Sequence, residues 1–345
     1  MRTLVAGLAI VAVACGEPAP LPSFALDAPG DTLRVPFTEI TDGAWLGGDR
    51  YAVLSPAENT VALLDFAVGT TRMLDASSGE LQNPSALFSL GDTLFVADWA
   101  RRRVTAWNTA GGLVRSIPAS DIARGSLPRA ADARGRLYYE LPPIAGRDGS
   151  GNRDSTAVLR AASPSAVADT VAWLAPLDIA EVTSEQGRRF ERRVFSGDDE
   201  WGVLPDGAVW VARTYQNRVD WIDTIGDVRR GVSLPDRVLE VTRLDRERFV
   251  AQFPPELRAS AERLPYSPIK PPFVRAFTGG DGHVWLEKSR WVRDSTQLHH
   301  EVGRDGRLIR VVSVPGWGRV VAATAEATII AIPDSGRFAV VRVRR

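Results

Sequence analysis

The sequence predicts an all-β fold in which one four-stranded β-meander is repeated around a closed ring. Three observations support this prediction. Strand-forming runs separated by Asp- and Gly-containing turns continue from about residue 40 to the C-terminus, one stretch recurs in register, and the chain ends one strand short of a whole repeat. Val, Ile, Trp and Tyr favour strands, whereas Asp and Gly favour the tight turns between them.

The clearest repeat unit is residues 204–226, LPDGAVWVARTYQNRVDWIDTIG. Pro205-Asp206-Gly207 predicts a tight turn, because Asp hydrogen-bonds its own backbone and Gly tolerates a positive φ. Residues 83–112 repeat the order of turn, strand, loop and strand, and residues 55–61 repeat its middle part. In the three copies, Ser55 and Thr60, Asp98 and Arg103, and Arg213 and Arg218 are each five positions apart. A Val follows each pair and begins the next strand. Three copies in register indicate a repeat protein.

Six copies are marked by the first firmly apolar residue of their third strand. The last copy has only three predicted strands, whereas residues 31–37 form a strand without a partner of its own. Joining that N-terminal strand to the last copy closes the ring and removes two exposed sheet edges. The sequence therefore predicts a single six-bladed β-propeller over residues 31–345. The six marker residues are Val61, Val104, Val158, Val219, Leu298 and Val340.

Long insertions interrupt the repeat at about residues 140–154, 177–200 and 235–275. Each lies between the second and third strands of a blade or between blades, and in a meander both of those connections fall on the same face of the ring. Loops on a rigid scaffold commonly carry function, so this elaborated face is the predicted functional face. The third insertion contains a predicted helix at residues 255–264 that begins with Pro.

Two of the repeats resemble the NHL type of six-bladed β-propeller. Val96-Ala97-Asp98 ends a strand and Arg103 follows five residues later, as in that family's motif. Asn217-Arg218 fits the same pattern, although Arg213 stands where the family has Asp. The resemblance implies the fold, but it implies little about function, because the family includes enzymes, ligand-binding proteins and scaffolds. Asp98, Arg103 and Arg218 are expected to form structural pairs between blades.

The N-terminus predicts export to the bacterial cell envelope. Residues 1–14 carry one Arg and an apolar run too short to span a bilayer, which is the layout of a signal peptide. Val13-Ala14-Cys15-Gly16 resembles a lipobox, whose Cys is acylated, although Ala12 replaces the usual larger aliphatic residue. We expect an extracytoplasmic, membrane-anchored protein with Cys15 lipidated and residues 15–30 as a tether. Plain secretion after cleavage and an uncleaved segment are the alternatives.

Composition and spacing limit the partners and cofactors. Basic and acidic residues balance at 42 each, so bulk charge does not favour nucleic acid. Cys15 is the only cysteine, which excludes an internal disulfide and a Cys-based zinc site. His299 and His300 are adjacent in a strand and point to opposite faces, and His283 follows a turn, so we expect no metal site built on histidine. We expect a monomer without a cofactor.

The sequence contains no Gly-x-Ser-x-Gly or His-Glu-x-x-His motif that would indicate a reaction. Our leading hypothesis is therefore a binding or scaffold protein whose elaborated face contacts a protein, a glycan or a small ligand. The alternative is a hydrolase or lyase with carboxylates and Arg at the channel mouth, with or without calcium at Asp148 and Asp154 in the loop 146–154. The candidate binding residues are Trp99, Arg101, Arg102, Arg213, Tyr215, Tyr266, Glu287 and Trp291.

Overall fold

The computed structural model describes residues 23–25, 30–74, 81–142, 156–184 and 187–345. The predicted signal peptide, Cys15 and the loop 146–154 with Asp148 and Asp154 lie outside the described residues, as does most of the predicted insertion 140–154. In the described ranges the chain is all-β apart from two short helices. No helix in those ranges is long and apolar enough to cross a membrane.

Six antiparallel sheets, here called blades 1 to 6, follow one another along the chain, and within each blade successive strands pair with one another. This order confirms the predicted propeller repeat. Two strands precede blade 1, namely β1 (Ser23–Ala25) and β2 (Asp31–Val35). Blade 1 contains β3 (Asp42–Trp45), β4 (Arg50–Ser55), β5 (Thr60–Asp65) and β6 (Thr70–Met73); blade 2 contains β7 (Pro84–Leu90), β8 (Thr93–Asp98), β9 (Arg103–Trp107) and β10 (Leu113–Pro118); blade 3 contains β11 (Pro128–Ala131), β12 (Leu137–Leu141), β13 (Ala157–Ala161) and β14 (Ala168–Trp173).

A separate hairpin of β15 (Ile179–Ser184) and β16 (Gly187–Arg192) lies between blades 3 and 4, and two helices, α1 (Arg243–Ala251) and α2 (Pro255–Glu262), lie between blades 4 and 5. Blade 4 contains β17 (Glu200–Val203), β18 (Val209–Arg213), β19 (Arg218–Ile222) and β20 (Val228–Arg229); blade 5 contains β21 (Phe273–Thr278), β22 (Val284–Lys288), β23 (Thr296–Val302) and β24 (Leu308–Pro315); blade 6 contains β25 (Arg319–Ala323), β26 (Ala327–Asp334) and β27 (Arg337–Arg344).

The ring closes through β2, as predicted. β2 pairs antiparallel with β27 and so supplies the fourth strand of blade 6, with Asp31 opposite Arg342 and Val35 opposite Phe338. An ion pair between Asp31 and Arg342 also joins β2 to β27. β1 was not predicted: within the segment expected to be a tether, residues 23–25 pair in parallel with β24 and add a fifth strand to blade 5.

The repeated Asn of the sequence motif has a backbone cause. Asn59 and Asn217 have φ values of 52° and 46°, in the left-handed region that Asn enters more easily than most residues. Both lie in the turn between the second and third strands of their blades. Arg102 occupies the equivalent turn of blade 2 with a φ of 48°. The motif therefore marks a turn geometry.

The insertions gather on one face. We call this the upper face: it holds the connections between second and third strands and those between blades, and the remaining turns form the lower face. The predicted helix is α2, whereas α1 was not predicted although Thr242 and Asp245 form a capping box at its start. The ring of Phe195, which follows the hairpin, packs against Phe249 of α1 at a centroid distance of 5.9 Å. The hairpin and helical insertions therefore support each other above the ring.

Candidate functional site

The innermost strands β3, β7, β11, β17, β21 and β25 surround a central channel of about 1250 Å³. Each of these strands lies at the inner end of its sheet, so backbone N–H and C=O groups on its unpaired edge face the channel. Small residues of the inner strands, such as Ala86 and Ala276, line the channel beside larger side chains such as Phe88 and Phe277, and its volume gives room for a small molecule.

Charged side chains from blades 3 and 4 meet at the upper mouth of the channel. Arg129, near the start of β11, forms an ion pair with Glu140 of β12, and its Nη2 lies 3.6 Å from Oε2 of Glu200, the first residue of β17. The guanidinium of Arg129 also lies over the ring of Trp201, 5.1 Å from its centroid. Trp201 Nε1 donates a hydrogen bond of 2.9 Å to Glu140 Oε2. We call Arg129, Glu140 and Glu200 the mouth cluster.

Glu200 is the titratable member of the mouth cluster. Burial against the channel wall and, to a smaller extent, the nearby carboxylates of Glu140 and Asp198 together raise the pKa of its carboxyl group from 4.5 to about 7. The guanidinium of Arg129 opposes this shift without cancelling it. At neutral pH the Glu200 carboxyl group is therefore present in both protonation states, so it both donates and accepts hydrogen bonds.

Two of the other charged residues that line the channel, Asp42 and Arg275, are held by the scaffold. Asp42 Oδ2 accepts a hydrogen bond of 2.8 Å from the N–H of Leu87, which joins blade 1 to blade 2, and burial raises the pKa of its carboxyl group. Arg275 Nε lies 3.1 Å from Glu287 Oε2, and its Nη2 donates to the carbonyl of Val320 in blade 6. These contacts join neighbouring blades at the rim of the channel.

The eight predicted binding residues do not form one site. Trp99 lines the channel mouth and is 56% exposed, with Arg101 and Arg102 in the same turn. Glu287 forms an ion pair with Arg275, which lines the channel. The other four residues lie away from the channel.

Arg213 is enclosed in blade 4, where its guanidinium lies 2.8 Å from Asp199 and 3.3 Å from Asp220. Tyr215 is exposed on the upper face of the same blade. The Tyr266 hydroxyl donates a hydrogen bond to the carbonyl of Ala261, and the Tyr266 ring packs against the rings of Phe195 and Phe249. Trp291 lies under the guanidinium of Arg237, which is 4.0 Å from its ring centroid. Binding by these residues stays a prediction.

The three residues expected to pair blades are structural in different ways. The buried carboxylate of Asp98 accepts hydrogen bonds from the N–H groups of Gln82, Asn83 and Arg101, and so holds the connection that enters blade 2. Arg103 lies opposite Asp98 in the register of β8 and β9. Among the described residues Arg218 contacts its own blade, where its Nε lies 2.7 Å from Asp220, two residues along its strand.

Sequence reasoning missed all three residues of the mouth cluster as candidates. The signal lay in the insertion boundaries, because Glu140 opens the predicted insertion 140–154 and Glu200 ends the predicted insertion 177–200. Glu200 joins a long upper-face connection to the inner strand β17, and Glu140 lies where β12, the neighbour of the inner strand β11, meets a long upper-face connection. Arg129 had no comparable signal.

One group of possible metal ligands occurs among the described residues, on the lower side of blade 5. Donor atoms of Asp281, His283 and Glu301 lie within 4.8 Å of one another. Arg310 Nε lies 2.8 Å from Glu301 Oε2, and Arg345 Nη1 lies 3.2 Å from the same oxygen. Two guanidinium groups on one carboxylate disfavour a cation there. We read the group as an ion-pair network.

The other two histidines are buried and neutral. Burial lowers the pKa of His299 to about 4 and that of His300 to about 3. They are adjacent in β23, opposite Glu287 and Leu286 of β22 respectively. Because strand neighbours alternate between faces, the two rings lie on opposite sides of blade 5.

No protein-family profile and no curated protein sequence matches this chain. Among solved structures, a member of the DUF4221 family from Bacteroides vulgatus is similar with a TM-score of 0.54 and 8% sequence identity, over 92% of this chain and 97% of that chain. The fold is a six-bladed β-propeller. A calcium-binding protein, regucalcin, from Agrobacterium tumefaciens is similar to the propeller at a TM-score of 0.42 and 11% identity, over 93% of this chain and 95% of that chain. Virginiamycin B lyase from Staphylococcus aureus is similar with a TM-score of 0.44 and 9% sequence identity, over 90% of this chain and 98% of that chain. Such likeness shows the fold alone.

Proposed function

We propose that this protein is an extracytoplasmic, lipid-anchored β-propeller that binds a small polar ligand at the upper mouth of its central channel. The observation that carries the proposal is the convergence of Arg129, Glu140 and Glu200 on an open channel at the face where the insertions gather. This narrows the binding function expected from the sequence to one place on that face.

The mouth cluster has hydrogen-bonding capacity left for a ligand. Within the described part of the chain, the ion-pair partner of Glu200 is Arg129 at 3.6 Å, which is longer than a hydrogen bond. A carboxylate offers about four acceptor positions and a guanidinium five donors. Arg129 is about half exposed, so a ligand entering the channel reaches both groups. Ligands with hydroxyl, amine or amide groups match this arrangement.

A thermal-shift experiment tests the proposal with a panel of amino acids, small carboxylates, amines and monosaccharides. A bound probe at about 100 times its Kd stabilises the folded protein by about 2.7 kcal/mol, so it raises the Tm. We expect at least one probe to raise the Tm of the unaltered protein and to lose its effect in Arg129→Gln and Glu200→Gln. Tyr215→Ala, an upper-face variant outside the channel, should keep the effect.

Two results would overturn the proposal. One is a panel in which no probe raises the Tm. The other is a shift that survives both mouth-cluster substitutions but disappears in Tyr215→Ala, because that result assigns binding to the exposed loops.

A second candidate function, hydrolysis or elimination at the same site, is favoured by one observation. A carboxyl group with a pKa of about 7 beside a second carboxylate, Glu140, is suited to general acid–base work at neutral pH. If the protein turns over an ester, lactone or glycoside of a probe that binds, Glu200→Gln should lower kcat by at least about 100-fold. Turnover unchanged in that variant would exclude Glu200 as the acid or base.

A further inference from the structure

On the lower face, the exposed large apolar side chains of the described residues are all aliphatic, and each lies in the turn between the third and fourth strands or at the start of the fourth strand. These turns form the outer part of that face. Blades 1, 3 and 4 each place such a residue in the turn itself, and blade 2 places Leu113 and Val114 at the start of its fourth strand. The set is Val68, Leu113, Val114, Val167, Ile225 and Val228, and the most exposed are Val167 at 88%, Ile225 at 82% and Val68 at 68%. We call these residues the aliphatic rim.

The turns hold their apolar tips outward by a specific geometry. Asp65 Oδ1 accepts hydrogen bonds from the N–H groups of Ala67 and Val68, and Gly69 follows with a φ of 71°. In blade 4, the Asp223 side chain accepts from the N–H of Ile225 in the same way, and Gly226 follows with a positive φ. Asp and Gly thus fix the turn and leave the intervening side chain exposed at its tip.

Single exposed apolar residues are ordinary on soluble proteins. The aliphatic rim differs because it recurs in this turn in blades 1, 3 and 4 and at the start of the fourth strand in blade 2. Blade 5 interrupts it with Arg304, Asp305 and Arg307. Repeated apolar tips on one face of a disk indicate contact with an apolar surface.

The path of the N-terminal chain indicates what that surface is. β1 runs parallel to β24, with Ser23 opposite Val311 and Ala25 opposite Ser313. Because β24 runs from the lower face to the upper face, the chain enters β1 from the side of the lower face. Eight residue steps (23 − 15) separate Ser23 from Cys15, which is at most about 29 Å of extended chain.

We infer that the lower face of the propeller lies against the membrane and that the aliphatic rim contacts its lipid. The inference rests on the lipid-anchor part of the proposed function. The anchor keeps the ring near the bilayer, and the rim adds apolar area at the headgroup boundary, which strengthens and orients interfacial binding. In this orientation the channel mouth faces away from the membrane and stays open to ligand.

Site-specific fluorescence on the lipidated, full-length protein tests the inference. Ile225→Cys and Tyr215→Cys form a matched pair, because both positions are exposed in blade 4 and lie on opposite faces. Cys15 is the only native cysteine, so once it is acylated the introduced thiol is the one that reacts with an environment-sensitive NBD label. The labelled protein is placed in vesicles of phosphatidylethanolamine and phosphatidylglycerol that contain a nitroxide-labelled lipid.

We expect the emission at position 225 to move to shorter wavelength and to be quenched by the nitroxide lipid, while position 215 keeps its aqueous emission. A label at Val68→Cys in blade 1 should show the same emission shift and quenching as the label at position 225. Agreement between the two positions shows that the result does not come from a local effect of one substitution. Protein that floats with the vesicles but remains unquenched at 225 and 68 overturns the inference and leaves the anchor intact. Protein that does not float, and whose Cys15 itself reacts with the label, overturns the anchor and the inference together. Neither result bears on ligand binding in the channel.

Discussion

Asp199 and Glu200 are neighbours in sequence, but they lie in opposite surroundings. Asp199 is 6% exposed and its oxygens accept hydrogen bonds from the N–H of Ala175, the N–H of Thr214 and the guanidinium of Arg213, all between 2.8 and 3.0 Å. The side chain of Glu200 is 28% exposed at the channel mouth and has Arg129 at 3.6 Å. The first carboxylate accepts three hydrogen bonds from the scaffold, whereas the second keeps its acceptor positions open.

The comparison distinguishes two kinds of charged residue in this fold: scaffold charges, which other groups of the protein hold, and site charges, which are available to a ligand. Blade 4 uses Asp199, Arg213, Asp220 and Arg218 as one network, in which the two carboxylates are buried and each member is held by the others or by backbone groups. Buried polar groups of this kind are expected to be fully paired. A charge that faces the channel with unused hydrogen-bonding capacity, as in the mouth cluster, is available to a ligand.

The largest expected effect on stability comes from substituting Asp199, the carboxylate that the scaffold holds. Asp199→Ala removes one of the two carboxylate partners of Arg213 and the acceptor for two backbone N–H groups in the interior. We expect the free energy of unfolding to fall by about 3 kcal/mol, because the two N–H groups are left without an acceptor and Arg213 loses its shorter ion pair. Urea unfolding followed by circular dichroism measures it. A loss below about 1 kcal/mol would show that the network is not needed for stability.

The next effect is a pH dependence that belongs to Glu200. The folded protein holds the Glu200 proton up to about pH 7, whereas the unfolded chain releases it near its ordinary pKa of 4.5. The free energy of unfolding therefore decreases as pH rises through that window, by at most about 3 kcal/mol from this group. Glu200→Gln lacks the effect, so the stability of this variant relative to the unaltered protein should increase from about pH 5 to about pH 8.

The buried histidines act in the opposite direction, which is why the variant difference is needed. Their folded pKa values are lowered to about 4 and about 3, so their contribution to stability is lost as pH falls below 6.5. This contribution is common to both proteins and cancels in the difference. A variant difference that does not change with pH would contradict the raised pKa of Glu200.

A smaller stability effect is expected at Arg129. The Arg129 side chain is about half exposed, so Arg129→Gln should lower the free energy of unfolding by about 1 kcal/mol or less. The same substitution should abolish ligand-induced stabilisation. A large loss of stability with ligand binding retained would place Arg129 with the scaffold charges.

The smallest effect is expected on the exposed upper-face loops. Tyr215→Ala should change the free energy of unfolding by less than about 0.5 kcal/mol, because the side chain is exposed. Ligand-induced stabilisation should also be unchanged. Loss of ligand binding in this variant would return the site to the loops predicted from the sequence.

The sequence was informative about the fold wherever the repeat supplied a template. The meander order, the closure by the N-terminal strand and the one-sided insertions are all confirmed, because each follows from strand and turn chemistry repeated along the chain. β1, α1 and the β15–β16 hairpin were not predicted. They lie outside the repeat, and β1 in particular depends on a tertiary partner, the outer edge of β24.

The site was less predictable, because it forms only when strands from different blades meet at the channel. Arg129 and Glu200 are far apart in sequence and belong to blades 3 and 4. Predicted loop residues such as Tyr215 and Trp291 were chosen for their type and their face, but loops of different blades are spread around the ring. Position relative to the channel axis is the information that a single sequence lacks.

The most direct test of the central claim is a crystal structure of the protein with the probe that raises its Tm most. The account predicts ligand density in the channel, within hydrogen-bond distance of Arg129 and Glu200. Ligand density at Tyr215, Tyr266 or Trp291 with the mouth cluster untouched would contradict it.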